Sequence, residues 1–405
     1  FWVARMIMMG IENTSEIPFD TVYLHGLVRD PAGVKMSKTK GNVMDPLGLI
    51  DTYGADALRF ALTIGNSPGN DMRLNESKME ASRNFANKLW NASRYVMSKI
   101  ENIDSSNNLD NWPPEPTHLE DRWIFSRLNN TTAQVNQFMK DYQFGEAQRS
   151  IHDFLWNEFC DWYLEMSKVR ISNDDQTPIP ILAYVLEKTL RLLHPFMPFI
   201  TEEIWGKLIT NLQSSSILKP QDDTWPSALI IASYPEDNPA MSDQIAEVQV
   251  GAIIEMIRAI RNLRAEFRIQ PNQEIEAIVD APEILPIIQL ETNAICSLAQ
   301  INPLTLTPNR ISEIKSDSTQ HVSLVLSKGT ITIPLGNIVN IADEKLRLSE
   351  EMLEISTNLD NLSKRLANKE FLTKAPGEVI EKEKQRQDNM KNRLERINET
   401  LSRLG

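Results

Sequence analysis

Residues 23–42 read YLHGLVRDPAGVKMSKTKGN, and this stretch decides the first part of the fold. β-Branched and aromatic residues cluster at Thr21-Val22-Tyr23-Leu24-His25, which predicts a short strand. A loop then runs from Val28 through Asp30-Pro31-Ala32-Gly33 to Gly41-Asn42, with turn formers at both ends and Lys35, Lys38 and Lys40 between them. Next, Asp45-Pro46 supplies an N-cap and a first-turn proline, and Gly54-Ala55-Asp56 opens a second helix through Ala57, Phe60 and Ala61. Strand, loop and helix in this order predict the end of an α/β domain. Upstream, residues 1–11 are apolar and predict a core helix; Arg5 interrupts the run, which is too short to cross a bilayer.

Downstream of about residue 76 the apolar period is helical. Ile151, Leu155, Phe159, Trp162, Met166 and Val169 fall on one face of a helix, and similar patterns cover roughly 76–100, 119–142, 180–193, 201–213 and 245–268. Proline clusters at 113–116, 178–180 and 195–198 separate them, with Thr201 expected to cap the helix after the last. A helical bundle follows, its Trp, Met and Phe residues packed in the core. Over 272–340 the pattern changes to an alternating Glu274–Val279, a short helix near 285–299 and strands near 321–327 and 330–335, which predict a small α/β subdomain. Finally, Met352, Ile355, Leu359, Leu362 and Leu366 form one heptad seam, and Met390, Leu394, Ile397, Leu401 and Leu404 form another. Ala375-Pro376-Gly377 breaks the helix between them, so an antiparallel coiled-coil hairpin is expected.

The 405 residues are enough for several domains, and 41% hydrophobic with 24% charged residues is globular composition. Cys160 and Cys296 are too few for a disulfide scaffold or a cysteine-based zinc site, so no zinc and a reducing, cytoplasmic compartment are expected. A net charge of −13 argues at first against a nucleic-acid binder. Its distribution reverses that argument. Residues 1–100 carry 12 basic and 10 acidic side chains, 101–340 carry 17 and 32, and 341–405 carry 13 of each, so a polyanion could meet either end.

Within the loop, three ammonium groups lie within six residues. Long cationic side chains can reach polyphosphate oxygens, Gly33 and Gly41 let the backbone close over them, and charge growing on departing pyrophosphate is stabilised by cations placed where it develops. A second basic feature is Arg258, Arg261, Arg264 and Arg268, which fall in one arc of a helix and suggest a phosphate track.

Lys35-Met36-Ser37-Lys38-Thr39 resembles the KMSKS signature of class I aminoacyl-tRNA synthetases. Phe1–Gly10, Tyr23–Asp30, Tyr53–Phe60, Gly69–Arg73 and Arg83–Ala92 narrow the resemblance to the valyl branch. His194–Trp205 is similar to the anticodon-binding bundle of the valyl, isoleucyl and leucyl enzymes, and the closing hairpin to a tRNA-contacting arm. The resemblance implies a mainly α chain with these parts: 1–75 the end of a Rossmann-like catalytic domain, 76–271 an anticodon-binding bundle, 272–340 a small α/β subdomain and 341–405 a coiled-coil arm. It implies ATP as substrate, bound by Lys38 with Lys35 in support, Met36 and Ser37 shaping the loop and His25 near the nucleotide, and Mg²⁺ accompanying ATP. Lys40, Arg258, Arg261, Arg264 and Arg268 are the expected tRNA contacts. The implied reaction is activation of valine by ATP and its transfer to tRNA(Val) by a monomer that touches no membrane. The HIGH-type motif, amino-acid pocket and editing domain of the family are not found in these residues and are expected upstream of Phe1, so the chain reads as a C-terminal portion, inactive by itself. Isoleucyl or leucyl specificity, or a non-catalytic tRNA-binding scaffold, stays open.

Overall fold

The structure, a computed structural model, describes residues 1–103, 112–214, 225–307, 321–334, 341–368 and 377–403. The chain divides into two compact units, 1–250 and 251–405. Among the described residues no helix is long and apolar enough to cross a membrane.

The first unit opens with helix α1, Trp2–Thr14. Contrary to the expectation of a core helix, α1 has no buried residue, and Trp2, Met6, Met8 and Met9 are exposed. The expected strand at Thr21–His25 is displaced to β1, Val28–Arg29, which pairs in parallel with β2, Met72–Arg73. Tyr23 instead sets its ring against Tyr142 and Phe144. Between the two strands lie α2, Pro46–Tyr53, and α3, Ala55–Thr63. Asp45 caps α2 as its sequence predicts, its carboxylate accepting from the amides of Leu47 and Gly48 at 3.2 Å each. Leu58, Ala61, Met72, Leu74 and Met79 form a local core onto which Val28, Met44 and Ile50 pack, so the strand and helix flanking the lysine loop share one apolar anchor.

The helical part follows with α4, Glu76–Glu101; α5, Leu119–Lys140; α6, Phe144–Asp153; a π-helical stretch, Phe154–Tyr163; α7, Leu164–Ser172; α8, Pro178–Leu193; and α9, Pro198–Ser214. The single helix expected across 151–169 is thus α6, the π-helical stretch and α7 run together, and its apolar face is kept: Ile151, Leu155, Phe159, Trp162 and Met166 are all buried. Phe60 of α3 stacks on Phe85 of α4 at 4.7 Å. Charge is also buried here. Arg170 of α7 donates to Glu120 and Asp121 of α5 at 2.6 and 2.8 Å, and Tyr163 donates to Asp121 at 2.7 Å. Thr201 does not cap α9; it lies within the helix, its hydroxyl donating to the Met197 carbonyl at 2.8 Å. Helix α10, Gln244–Glu266, carries the chain into the second unit.

That unit holds a four-stranded sheet of β3, Ile275–Asp280; β4, Ile301–Leu306; β5, His321–Leu326; and β6, Gly329–Pro334, in the order β4-β3-β6-β5. β3 and β4 are parallel, joined through α11, Leu285–Leu290, and α12, Thr292–Ala299; the other pairings are antiparallel. The helix expected near 285–299 is therefore two short ones, and β4 lacks a sequence signal. The last helices are α13, Ile341–Ala367, and α14, Gly377–Arg403. They pack antiparallel, with Arg393 on Glu351 at 2.7 Å and Arg365 on Glu383 at 3.2 Å. Met352, Ile355, Leu359, Leu362 and Leu366 are buried or half-buried, as are Met390, Leu394, Ile397 and Leu401, while Leu353 is exposed. Ala375, Pro376 and Leu404 lie outside the described residues. At 1.5 Å per residue each 27-residue helix is about 40 Å long.

Candidate active site

The lysine loop is built on β1. Arg29 donates through Nε to Asp71 at 2.6 Å and through Nη1 to the Gly33 carbonyl at 3.2 Å, and Asp71 also accepts the Leu27 amide at 2.7 Å. The Leu27 amide and Arg29 hold the Asp71 carboxyl below the usual carboxylate range. Asp30 turns the chain: its carboxylate accepts the Val34 amide at 2.7 Å, and the backbones of Asp30 and Val34 pair at 3.0 Å. Gly33 and Gly41 have φ of +79° and +68°, the left-handed region open to glycine, so each end of the loop turns where its sequence places a glycine.

Between those ends, Lys38–Lys40 make one 3₁₀ turn, and Ser37 faces Thr39 with their hydroxyls 3.3 Å apart. Lys35, Lys38 and Lys40 are exposed and make no ion pair among the described residues; Met36 and Ser37 are half-buried. Three ammonium groups therefore stand in solvent on a backbone fixed at both ends. That arrangement can hold a polyphosphate, because the cations are available and little chain ordering is left to be done on binding.

His25 is exposed on the segment before β1, with Nδ1 2.8 Å from its neighbour's carbonyl at Gly26. The structure brings Lys35, Met36, Ser37, Lys38 and Lys40 into one loop and leaves His25 on the segment that enters it. Two groups escape sequence reading. Asn42 reads only as a turn former, yet its side chain bonds Asp30 and the backbone on both sides of Met36. Asp56 reads as a first-turn acid of α3, yet its carboxylate accepts the amides of Phe199 and Ile200 at 3.3 and 2.6 Å, capping α9 from another helix. Burial pushes the Asp56 carboxyl up, while the two amides and Arg59 pull it back. The only available signal is a Gly-Asn step and an acid after Gly-Ala, neither of which names a distant partner.

The arginine stripe lies in the second unit, and its members differ. Arg264 is buried, and its guanidinium donates to the carbonyls of Gln300, Gln270 and Pro271 at 3.2, 2.8 and 3.3 Å. Arg261 donates to the Leu298 carbonyl at 2.8 Å. Arg268, at φ +52°, is 66% exposed with Glu351 at 4.0 Å, and Arg258 also has a partner. The four share an arc of sequence, but Arg264 is turned inward to close the end of its own helix, so the stripe is not one continuous surface of free cations.

An open groove of about 920 Å³ lies between α4 and α9, and part of its polar lining is already paired: Asn211 donates to Glu101 at 3.0 Å, Lys207 pairs with Glu203 at 2.8 Å, and Glu202 accepts the Leu229 amide at 3.0 Å. Among the described residues no group of three or more His, Cys, Asp or Glu could hold a metal ion.

Residues 1–75 match the family described as tRNA synthetases class I (I, L, M and V), 121–279 the anticodon-binding domain of tRNA ligase, and 340–405 the valyl tRNA synthetase tRNA binding arm. The chain is 46% identical over 385 residues to a valine–tRNA ligase of Dehalococcoides mccartyi strain CBDB1, covering 95% of this chain and 42% of that one. It is 45% identical over 405 residues to the enzyme of a second strain of that species, and 37% identical over 408 residues to that of Bacillus subtilis, in each case over 100% of this chain and 44% of the other. The chain thus spans less than half the length of the relatives it matches.

Proposed function

The chain belongs to the valine–tRNA ligase family of class I tRNA synthetases, and from that premise we propose that it supplies the ATP-loop and tRNA-contacting parts of an enzyme that activates valine with ATP and transfers it to tRNA(Val). The observation that carries the proposal is the lysine loop: Lys35, Lys38 and Lys40 exposed on a turn anchored by Arg29–Asp71 at one end and Asp30–Asn42 at the other, within the segment matched to class I synthetases.

In this reading ATP is the substrate, with Mg²⁺ carried on its phosphates. When the valine carboxylate attacks the α-phosphorus, a P–O bond forms to the carboxylate and the bond to the leaving pyrophosphate breaks. Lys38, with Lys35 beside it, then neutralises the charge that collects on the pyrophosphate, an interaction worth more in the transition state than in the ground state. Ser37 and Met36 shape the loop. Lys40 and the exposed part of the arginine stripe, Arg258, Arg261 and Arg268, are proposed to meet the tRNA, together with the α13–α14 arm. The segment divisions proposed from the sequence at 75, 271 and 340 are kept as part of this reading.

The test is amino-acid-dependent ATP–pyrophosphate exchange by the intact enzyme. Valine is expected to support exchange, with isoleucine and leucine weaker by about 100-fold, since a methylene added to an apolar pocket is worth about 1–3 kcal/mol. Exchange that runs on isoleucine or leucine and not on valine contradicts the proposal.

A further inference from the structure

The lysines stand where the loop backbone puts them, and around Met36 one side chain holds that backbone on both sides. Asn42 Oδ1 accepts the Ser37 amide at 2.9 Å, and its Nδ2 donates to Asp30 at 2.8 Å and to the Lys35 carbonyl at 3.3 Å. One amide therefore grips the backbone before and after Met36, at the two peptide groups that orient Lys35 and the start of the Lys38 turn. Asp30 completes the clasp by bonding Asn42 with one carboxylate oxygen and the Val34 amide with the other.

Resting on the role proposed above for Lys35 and Lys38, we infer that Asn42 is a positioning residue, which with Asp30 holds the loop in the shape that places both ammonium groups for departing pyrophosphate. Asn42 touches no reacting atom; it acts through the backbone of the residues that do. Its bonds are selective in direction. The acceptor faces an N–H and the donor faces a carboxylate and a carbonyl, so the uncharged amide fits and a carboxylate at position 42 would lie against that of Asp30. The Asp30 carboxyl is held below its usual range, first by Asn42 and then by the Val34 amide, so at neutral pH it presents the charged acceptor that the clasp needs.

The experiment is steady-state ATP–pyrophosphate exchange with the intact enzyme and four variants: N42A, N42D, D30N/N42D and K38A. N42A is expected to lower kcat about 10- to 100-fold, because misplacement of a catalytic group by about 1 Å costs that much, with the KM for ATP changed less than about threefold. N42D is expected to be at least as impaired. In D30N/N42D the donor and acceptor are exchanged: the amide introduced at position 30 donates to the carboxylate introduced at position 42, which still accepts the Ser37 amide, so kcat is expected to recover about tenfold over N42D. Recovery in the double variant separates positioning from a loss of folding. Wild-type kcat in N42A, or a double variant no more active than N42D, overturns the inference. Failure of the underlying reading looks different, since K38A would then keep wild-type exchange.

Discussion

His194 shows how a single residue ties chemistry to the packing around it. It closes α8, and its Nδ1 lies 2.8 Å from the Thr201 hydroxyl, which itself donates to Met197. Burial depresses its pKa below the usual 6.5, opposed by Glu202 and Asp56. A histidine with a depressed pKa binds its proton less well folded than unfolded, so its contribution to stability rises with pH; it is complete above about 6.5 and is lost as pH falls from there toward the lower folded value. Melting curves should therefore show a smaller fall in Tm between pH 7 and pH 5 in H194Q than in wild type; equal slopes would contradict this. At the same scale the lysine loop is legible, because three lysines between glycines are a local signal. The Asn42–Asp30 bond is not, because an asparagine after a glycine reads as a turn former whether or not its amide reaches back 12 residues.

For elements, legibility follows period and length. Helices α4, α5, α8, α9 and α10 end within a few residues of the ranges read from their apolar faces, since burial of one face imposes a 3.6-residue repeat over four turns or more. Two-residue strands have no period to read, which is why the sequence places β1 several residues early; β4 carries Asn302-Pro303 inside a six-residue strand and lacks a clean alternation. The proline at 198 reads as a break, and it is the first residue of α9, whose free amides are met by Asp56 from 143 and 144 residues away in sequence. Asp56→Ala should destabilise the first unit by about 1–2 kcal/mol in urea unfolding, with Asp56→Asn keeping most of that stability, since either side chain can accept helix N-terminal amides. No change in the alanine variant would show that the cap is dispensable.

At the scale of the molecule the charge map matters more than the net −13, because the acidity is confined to 101–340 while the lysine loop and the α13–α14 arm lie in the near-neutral ends. In the arm, Arg393 and Arg347 share Glu351, and Arg365 meets Glu383, so part of its charge staples the two helices together. Removing 341–405 is expected to weaken tRNA binding at least tenfold, about 1.4 kcal/mol, and to leave valine-dependent exchange within about twofold. Filter binding and exchange on the same preparation check both halves, and unchanged tRNA affinity would remove the arm from the proposed interface.

The central claim is that Lys38 stabilises charge on departing pyrophosphate, and the most direct test is pyrophosphate exchange by the Lys38→Ala enzyme at saturating valine and ATP. A loss of about 100- to 1,000-fold in kcat is predicted, the size seen when one preorganised group facing developing charge is removed. An unchanged rate would contradict the claim.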